Sequence, residues 1–293
     1  MQFETSDIIK KVRRIEIKTR GLTRQIFSGQ YHSAFRGKGI IFSEVREYQY
    51  GDDIRSIDWN VTARLNHPFV KLFDEERELT VMLLIDVSGS NEFGTENRFK
   101  EEMMTEIAAV LAFSAINNND KVGVIFFSDR VEKFITPKKG TTHILRIIRE
   151  LIDFKPKSQR TDIAEALRYL NNTIKKRAVV FILSDFLDSP FEESLRISAR
   201  KHDVVSLCVY DRRERNLPPL GLTRFYNKET GKYIWIDSSS KRVRDNYKLW
   251  WEQHDERIRN IFRKAGVDYV SIHTGEDFVK PLMYLFKQRE ARR

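Results

Sequence analysis

Residues 80–91 read TVMLLIDVSGSN, and this stretch decides the fold. Val81, Met82, Leu83, Leu84 and Ile85 form an unbroken apolar run, the pattern of a strand covered on both faces of a parallel sheet. The run stops at Asp86, followed by Ser88, Gly89 and Ser90. Open α/β sheets place their ligands beyond the carboxyl ends of the strands, which makes a carboxylate there a candidate ligand. With the hydroxyls of Ser88 and Ser90 it offers three hard oxygens suited to Mg²⁺ or Mn²⁺. A plainer reading gives the same polar residues to the start of a helix near Glu96.

Downstream, apolar runs and amphipathic segments alternate. Residues 98–117 repeat Met103, Ile107, Val110, Leu111 and Ser114 at helical spacing, and 121–127 (KVGVIFF) is a second buried strand. A further strand is expected over 130–135 and a helix over 142–153. Thr161 and Asp162 open another helix. A buried strand (AVVFIL, 178–183) ends at Ser184 and Asp185, a helix covers 191–201, and 204–210 is again a strand. The alternation predicts an α/β fold with a doubly wound, mostly parallel sheet. After Pro218 and Pro219, segments 222–227 and 232–237 flank Lys-Glu-Thr-Gly and read as an inserted β-hairpin. A long helix over 245–265 carries Trp250 and Trp251 and ends at Gly266; a strand (267–273) and a helix (278–289) close the chain.

Upstream, residues 7–18 place Ile8, Val12 and Ile15 on one face of an amphipathic helix. From 36 to 78 the texture shortens, and turn residues separate three expected strands at 43–50, 54–63 and 69–73. The expected organisation is therefore 1–78 as a helix plus a small strand-rich unit, and 79–293 as the α/β domain with its hairpin insertion at 211–240. Arg46, Arg55, Asp58, Trp59 and Arg64 read as a structural ion-pair network around an aromatic residue.

At 293 residues with 41% hydrophobic content, the chain can bury a sizeable core. No apolar run reaches the roughly 20 residues of a membrane span, and no signal peptide is evident. Cys208 is the only cysteine, which excludes an internal disulfide and suits a cytoplasmic protein. The net charge of +10 is uneven: +6 over residues 1–40, −4 over 41–78, nearly neutral over 79–210, and +7 over 211–293. Basic ends suit an acidic partner, a nucleic acid or an anionic membrane surface; solvated helix faces explain them at least as well.

Thr161, at a helix start, and Asp185, at a strand end, follow the logic of Asp86. In a doubly wound sheet these positions share one edge, so Asp86, Ser88, Ser90, Thr161 and Asp185 are expected to converge. Two carboxylates and three hydroxyls leave a position for water, exchangeable for a partner's carboxylate. This Asp-x-Ser-x-Ser pattern with Thr161 and Asp185 resembles the metal-ion-dependent adhesion site of von Willebrand factor A domains. The run FSEVREYQYGDDIRSIDWNVTARLNHPFVKLFDEERELTVMLLIDVSGS is similar to the signature of the domain-of-unknown-function-58 family. That resemblance implies a non-enzymatic, magnesium-dependent protein–protein interaction role in bacteria beside a MoxR-type AAA+ ATPase, with an acidic client. It also implies membrane segments in some relatives; here any membrane association is expected to run through partners. Such domains usually carry Gly before the Thr, where this chain has Ser158-Gln159-Arg160.

Two other functions compete. Asp after a buried strand is also the nucleophile position of phosphoryl-transfer enzymes, but Ser88 cannot serve as the general acid/base such phosphatases place there. Nucleic-acid binding would use Trp250, Trp251, Arg257, Arg259 and Arg263, which no recognisable motif accompanies.

Overall fold

The computed structural model describes residues 5–23, 31, 34–35, 41–74, 78–89, 100–187, 190–227 and 232–292. In chain order the elements are α1 (Thr5–Leu22), β1 (Ile41–Glu47), a 3-10 turn (Ile54–Ser56), α2 (Trp59–Leu65), β2 (Phe69–Asp74) and β3 (Thr80–Asp86). There follow α3 (Lys100–Asn117), β4 (Lys121–Phe127), β5 (Val131–Lys138), α4 (Thr141–Ile152), α5 (Ile163–Thr173), β6 (Val179–Ser184), α6 (Glu192–Lys201) and β7 (Asp203–Tyr210). The last are α7 (Arg212–Arg215), β8 (Leu222–Asn227), β9 (Lys232–Asp237), α8 (Lys241–Ala265), β10 (Asp268–His273) and α9 (Val279–Ala291). Two units result, one of residues 1–35 with 80–293 and one of residues 36–79. The amino-terminal helix thus belongs to the larger unit, not to the small one with which the sequence reading grouped it.

In the larger unit a six-stranded sheet has the order β10-β7-β6-β3-β4-β5. All neighbours are parallel except β5, which returns antiparallel beside β4. Strand period sends alternate side chains to opposite faces. Met82, Leu84, Ile125, Val180 and Ile182 join one core with Leu167 of α5, Leu195 of α6 and Phe262 of α8. On the other side, α3 is buried around most of its circumference, because the sheet lies beneath it and α1 packs over it. That is why its apolar residues do not form a single stripe. Lys18 of α1 reaches Glu106 of α3 at 2.6 Å. Cys208 is buried core, as expected.

The connection from β3 leads to β4 on one side, while β6 flanks β3 on the other. The carboxyl end of β3 is therefore a topological switch point, where the flanking connections diverge and leave a crevice.

In the small unit β1 and β2 pair antiparallel. The strand expected over 54–63 is instead the 3-10 turn and α2, because Asp58 caps the helix by accepting from the Asn60 and Val61 amides. The ion-pair network expected around Trp59 is also replaced. Arg46 makes a bidentate pair with Asp52 at 2.8 Å, Asp58 faces Lys71 at 3.5 Å, and Trp59 is 66% exposed. Arg55 and Arg64 are exposed as well.

Candidate functional site

Three loops meet at the switch point. After β3 the Val87 amide bonds the Phe127 carbonyl at the end of β4 (2.9 Å), and the Gly89 amide bonds the Gln159 carbonyl (3.1 Å). The Asp162 amide bonds the Ser128 carbonyl at 2.9 Å, fixing the start of α5 against the end of β4. Asp162 caps α5 by accepting from Glu165, which leaves the preceding Thr161 in the loop itself. Gly89 lets the two loops approach closely: a Cβ there would stand 2.0 Å from Gln159 Oε1, the end of a flexible side chain.

Of the five sequence-derived ligands, Asp86, Ser88 and Thr161 lie on these loops, Asp185 directly follows β6, and Ser90 lies outside the described residues. Asp86 is 2% exposed, with one carboxylate oxygen accepting the Ser88 amide (2.9 Å) and the other the Ser184 hydroxyl (2.7 Å). Burial, and next the nearby Asp185 charge, push the Asp86 carboxyl up to about 7, against hydrogen bonds from Ser88 and Ser184 that hold it down. Thr161 Oγ1 is buried without a hydrogen-bond partner among the described residues. A buried orphan hydroxyl costs about 1–3 kcal/mol unless something binds it. A small cavity of about 50 Å³ lies against Asp86 and Ser88, walled by Met104, Leu151 and Phe154, with room for a few waters.

Lys100, Glu214 and Ser184 complete the edge, and sequence reading assigned none of them a role in it. Lys100, in the first turn of α3, is fully buried, its Nζ 3.0 Å from Asp185 and 2.7 Å from Glu214. Burial lowers the Lys100 pKa, but Asp185 and Glu214 outweigh it and raise the value above that of a free lysine. Burial raises Glu214, and Lys100 partly offsets it. Nothing in the sequence separates Lys100 from the other lysines of a helix terminus. Ser184 was visible only as the residue before Asp185.

Asp185 is aimed by strain. Phe186 behind it takes φ of 55°, a left-handed conformation uncommon for a bulky residue. Its ring is fully buried against Phe191, Phe262 and Tyr269. The Phe186 amide bonds Ser184 Oγ at 3.1 Å, and the Leu187 amide bonds Asp185 Oδ1 at 3.3 Å.

The donors fit a hard cation: two carboxylates, hydroxyls and an orphan hydroxyl oxygen, without soft ligands. Among the described residues no group of three or more His, Cys, Asp or Glu forms a cage, so such an ion keeps water ligands. Asp86, Asp185 and Glu214 against Lys100 leave two negative charges when all are ionised, matching one divalent ion.

Trp251 is 7% exposed and packs edge-on against Trp250 and His254, while Arg257 faces Glu192 at 3.5 Å and Arg263 bonds Asn260.

Uncharacterized protein Mb1516 of Mycobacterium bovis is 27% identical over 281 residues, covering 95% of this chain and 88% of its own. Uncharacterized protein YeaD of Bacillus subtilis is 29% identical over 42% of this chain. Among solved structures, the conserved hypothetical protein BatB from Bacteroides thetaiotaomicron covers 73% of this chain and 100% of its own, at 16% identity and a TM-score of 0.50. The SpRpn10 VWA domain covers 72% of this chain and 95% of its own, at 12% identity and a TM-score of 0.37. With a model match over residues 44–257, which spans the small unit, the loops of the site and most of the sheet, the chain belongs to the family described as protein of unknown function DUF58.

Proposed function

We propose that this protein is a metal-dependent interaction module, an adaptor and not an enzyme. In this reading Asp86, Ser88, Ser90, Thr161 and Asp185 hold Mg²⁺ or Mn²⁺, and an acidic residue of a partner takes an exchangeable position. The observation that carries the reading is the orphan Thr161 hydroxyl, buried on the same edge as two buried aspartates. When bound, the ion supplies a Lewis-acidic centre for a partner's carboxylate. Asp86 is held by Ser184 and the Ser88 amide, and Asp185 by Lys100, so the protein contributes fixed oxygens.

A MoxR-type ATPase is the partner this reading expects, with an acidic protein as the client. Phosphoryl transfer is disfavoured by the geometry. The Lys100 ammonium is fully buried between two carboxylates instead of open to a phosphoryl group.

Calorimetric titration with Mn²⁺ tests the site: the wild type should bind one ion, and Asp86→Ala and Thr161→Val should bind none or far more weakly. Equal binding by Asp86→Ala refutes the reading. Co-purification of the ATPase that survives EDTA but not high salt assigns the contact to the charged ends instead.

A further inference from the structure

The β8–β9 hairpin is a two-stranded sheet of its own. An isolated ribbon of this kind is marginally stable in water unless something covers a face. Its register pairs Leu222 with Asp237, Arg224 with Trp235 and Tyr226 with Tyr233. These pairs share one face, on which Leu222 is 67% exposed, Tyr226 52%, Tyr233 57% and Trp235 64%. The Tyr226 and Tyr233 rings lie 4.8 Å apart, and the Arg224 guanidinium sits 4.2 Å from the Tyr233 ring. On the opposite face Ile234 is 52% exposed, and at the base Leu220 is 62% exposed. Singly exposed apolar residues are ordinary, but six on one short ribbon are not.

Charge selects the covering surface. From residue 220 to 250 the sequence has seven Lys/Arg and three Asp/Glu. Arg224 and Lys232 on the ribbon, and Lys241, Arg242 and Lys248 at the start of α8, are exposed. We infer that the hairpin is an interfacial anchor that inserts Tyr233, Trp235 and the flanking aliphatic residues into the headgroup region of an anionic lipid bilayer. Tyr and Trp suit that zone because their rings are apolar and their tips polar. Neighbouring basic side chains meet the negative surface charge of an anionic membrane. Two features favour lipid over single-stranded nucleic acid. The aliphatic Leu220, Leu222 and Ile234 cannot stack on bases, and apolar groups project from both faces of the ribbon, whereas base stacking uses one. Among the described residues no helix is long and apolar enough to cross a membrane.

The test uses the full chain and sedimented vesicles of phosphatidylcholine alone or with roughly one-third phosphatidylglycerol. Binding to the mixed vesicles should exceed binding to the neutral ones by about tenfold or more at low salt, and should weaken as salt rises. Tyr233→Ser with Trp235→Ser should lower binding by about tenfold while thermal unfolding stays unchanged. Trp59→Ser, removing an exposed Trp of the small unit, should leave binding intact. The proposal is overturned if wild-type protein ignores anionic vesicles, or if Trp59→Ser loses as much binding as the hairpin variant. It is equally overturned if the hairpin variant instead abolishes binding to a single-stranded oligonucleotide or a concentration-dependent dimer, with vesicle binding unchanged.

Discussion

The Lys100 ammonium lies 3.0 Å from Asp185, so one of the two carboxylates at the metal edge already has a cation beside it. The charge ledger of the edge therefore differs from one built on two aspartates alone. Lys100→Met removes that cation and leaves Asp185 and Glu214 buried and uncompensated. Breaking a buried pair in this way costs about 3–5 kcal/mol. Thermal unfolding in EDTA should show this loss, and added Mn²⁺ should restore a larger part of the stability in Lys100→Met than it adds to the wild type.

Asp86 and Asp185 repel each other inside the fold, so ionised Asp86 opposes stability in the metal-free protein. Asp86→Asn removes the charge; its Oδ1 accepts the Ser88 amide and its Nδ2 donates to the Ser184 hydroxyl oxygen, which can act as an acceptor. In EDTA at neutral pH this variant should be more stable than the wild type by about 1–3 kcal/mol, and Mn²⁺ should no longer raise its melting temperature. Equal or lower stability in EDTA would show that the repulsion is neutralised by other means.

Gly89 and Gln159 fit against each other so closely that a methyl group on Gly89 meets the amide oxygen of Gln159. The amide end of Gln159 can swing away, but its Cβ would remain 3.3 Å from the new methyl group, so Gly89→Ala should preserve the fold and shift the loops that carry Ser88 and Thr161 by a few tenths of an ångström. Mn²⁺ affinity should fall about tenfold by calorimetry. Adding Gln159→Ala should recover part of it, since the amide is then gone and only the Cβ contact remains.

His202 supplies a pH dependence away from the site. It is 1% exposed, and its Nδ1 accepts the Ala178 amide at 3.2 Å, which requires the neutral ring. Burial, with Lys201 and Arg177 adding to it, pushes its pKa down to about 4. The unfolded chain takes up this proton near pH 6.5, so the stability His202 contributes is complete above that value and is lost as pH falls toward 4. Denaturant unfolding should show about 2 kcal/mol lost between roughly pH 6.5 and 5, and His202→Asn should lose less over the same interval.

Asp58 caps α2, and its exposed surroundings make it a local contributor. Its burial raises the carboxyl pKa, but the Val61 and Asn60 amides and Lys71 bring it below the ordinary aspartate value. Asp58→Ala should lower the melting temperature by about 2–4 °C with Mn²⁺ binding unchanged. A much larger drop would restore the buried network that the sequence suggested.

The sheet was legible because runs such as 81–85 and 121–127 have no plausible home except between two helical layers. Asp86 and Asp185 were legible for the same reason, as charges that stop such runs. Short segments of the small unit were misread at 54–63, taken as an alternating stretch although Ile54, Ile57 and Val61 stand at helical spacing and Asp58 caps the helix that follows. Lys100 and Glu214 were invisible because their meaning lies wholly in tertiary contact. They stand 114 positions apart in the chain and meet only where α3 and α7 approach one carboxylate. The exposed Trp235 and buried Trp251 looked alike in sequence and differ by layer, not by composition.

The left-handed Phe186 has a consequence for how the site can change over generations. Glycine there would remove a backbone cost of about 1–3 kcal/mol and also discard the ring that fills the pocket of Phe191, Phe262 and Tyr269. Any other large residue keeps the cost and must match the pocket. No single substitution improves both, so the position that aims Asp185 is accessible to drift only through paired changes. Variation at Phe262 or Tyr269, on elements remote in sequence, is thereby tied to the geometry of the carboxylate.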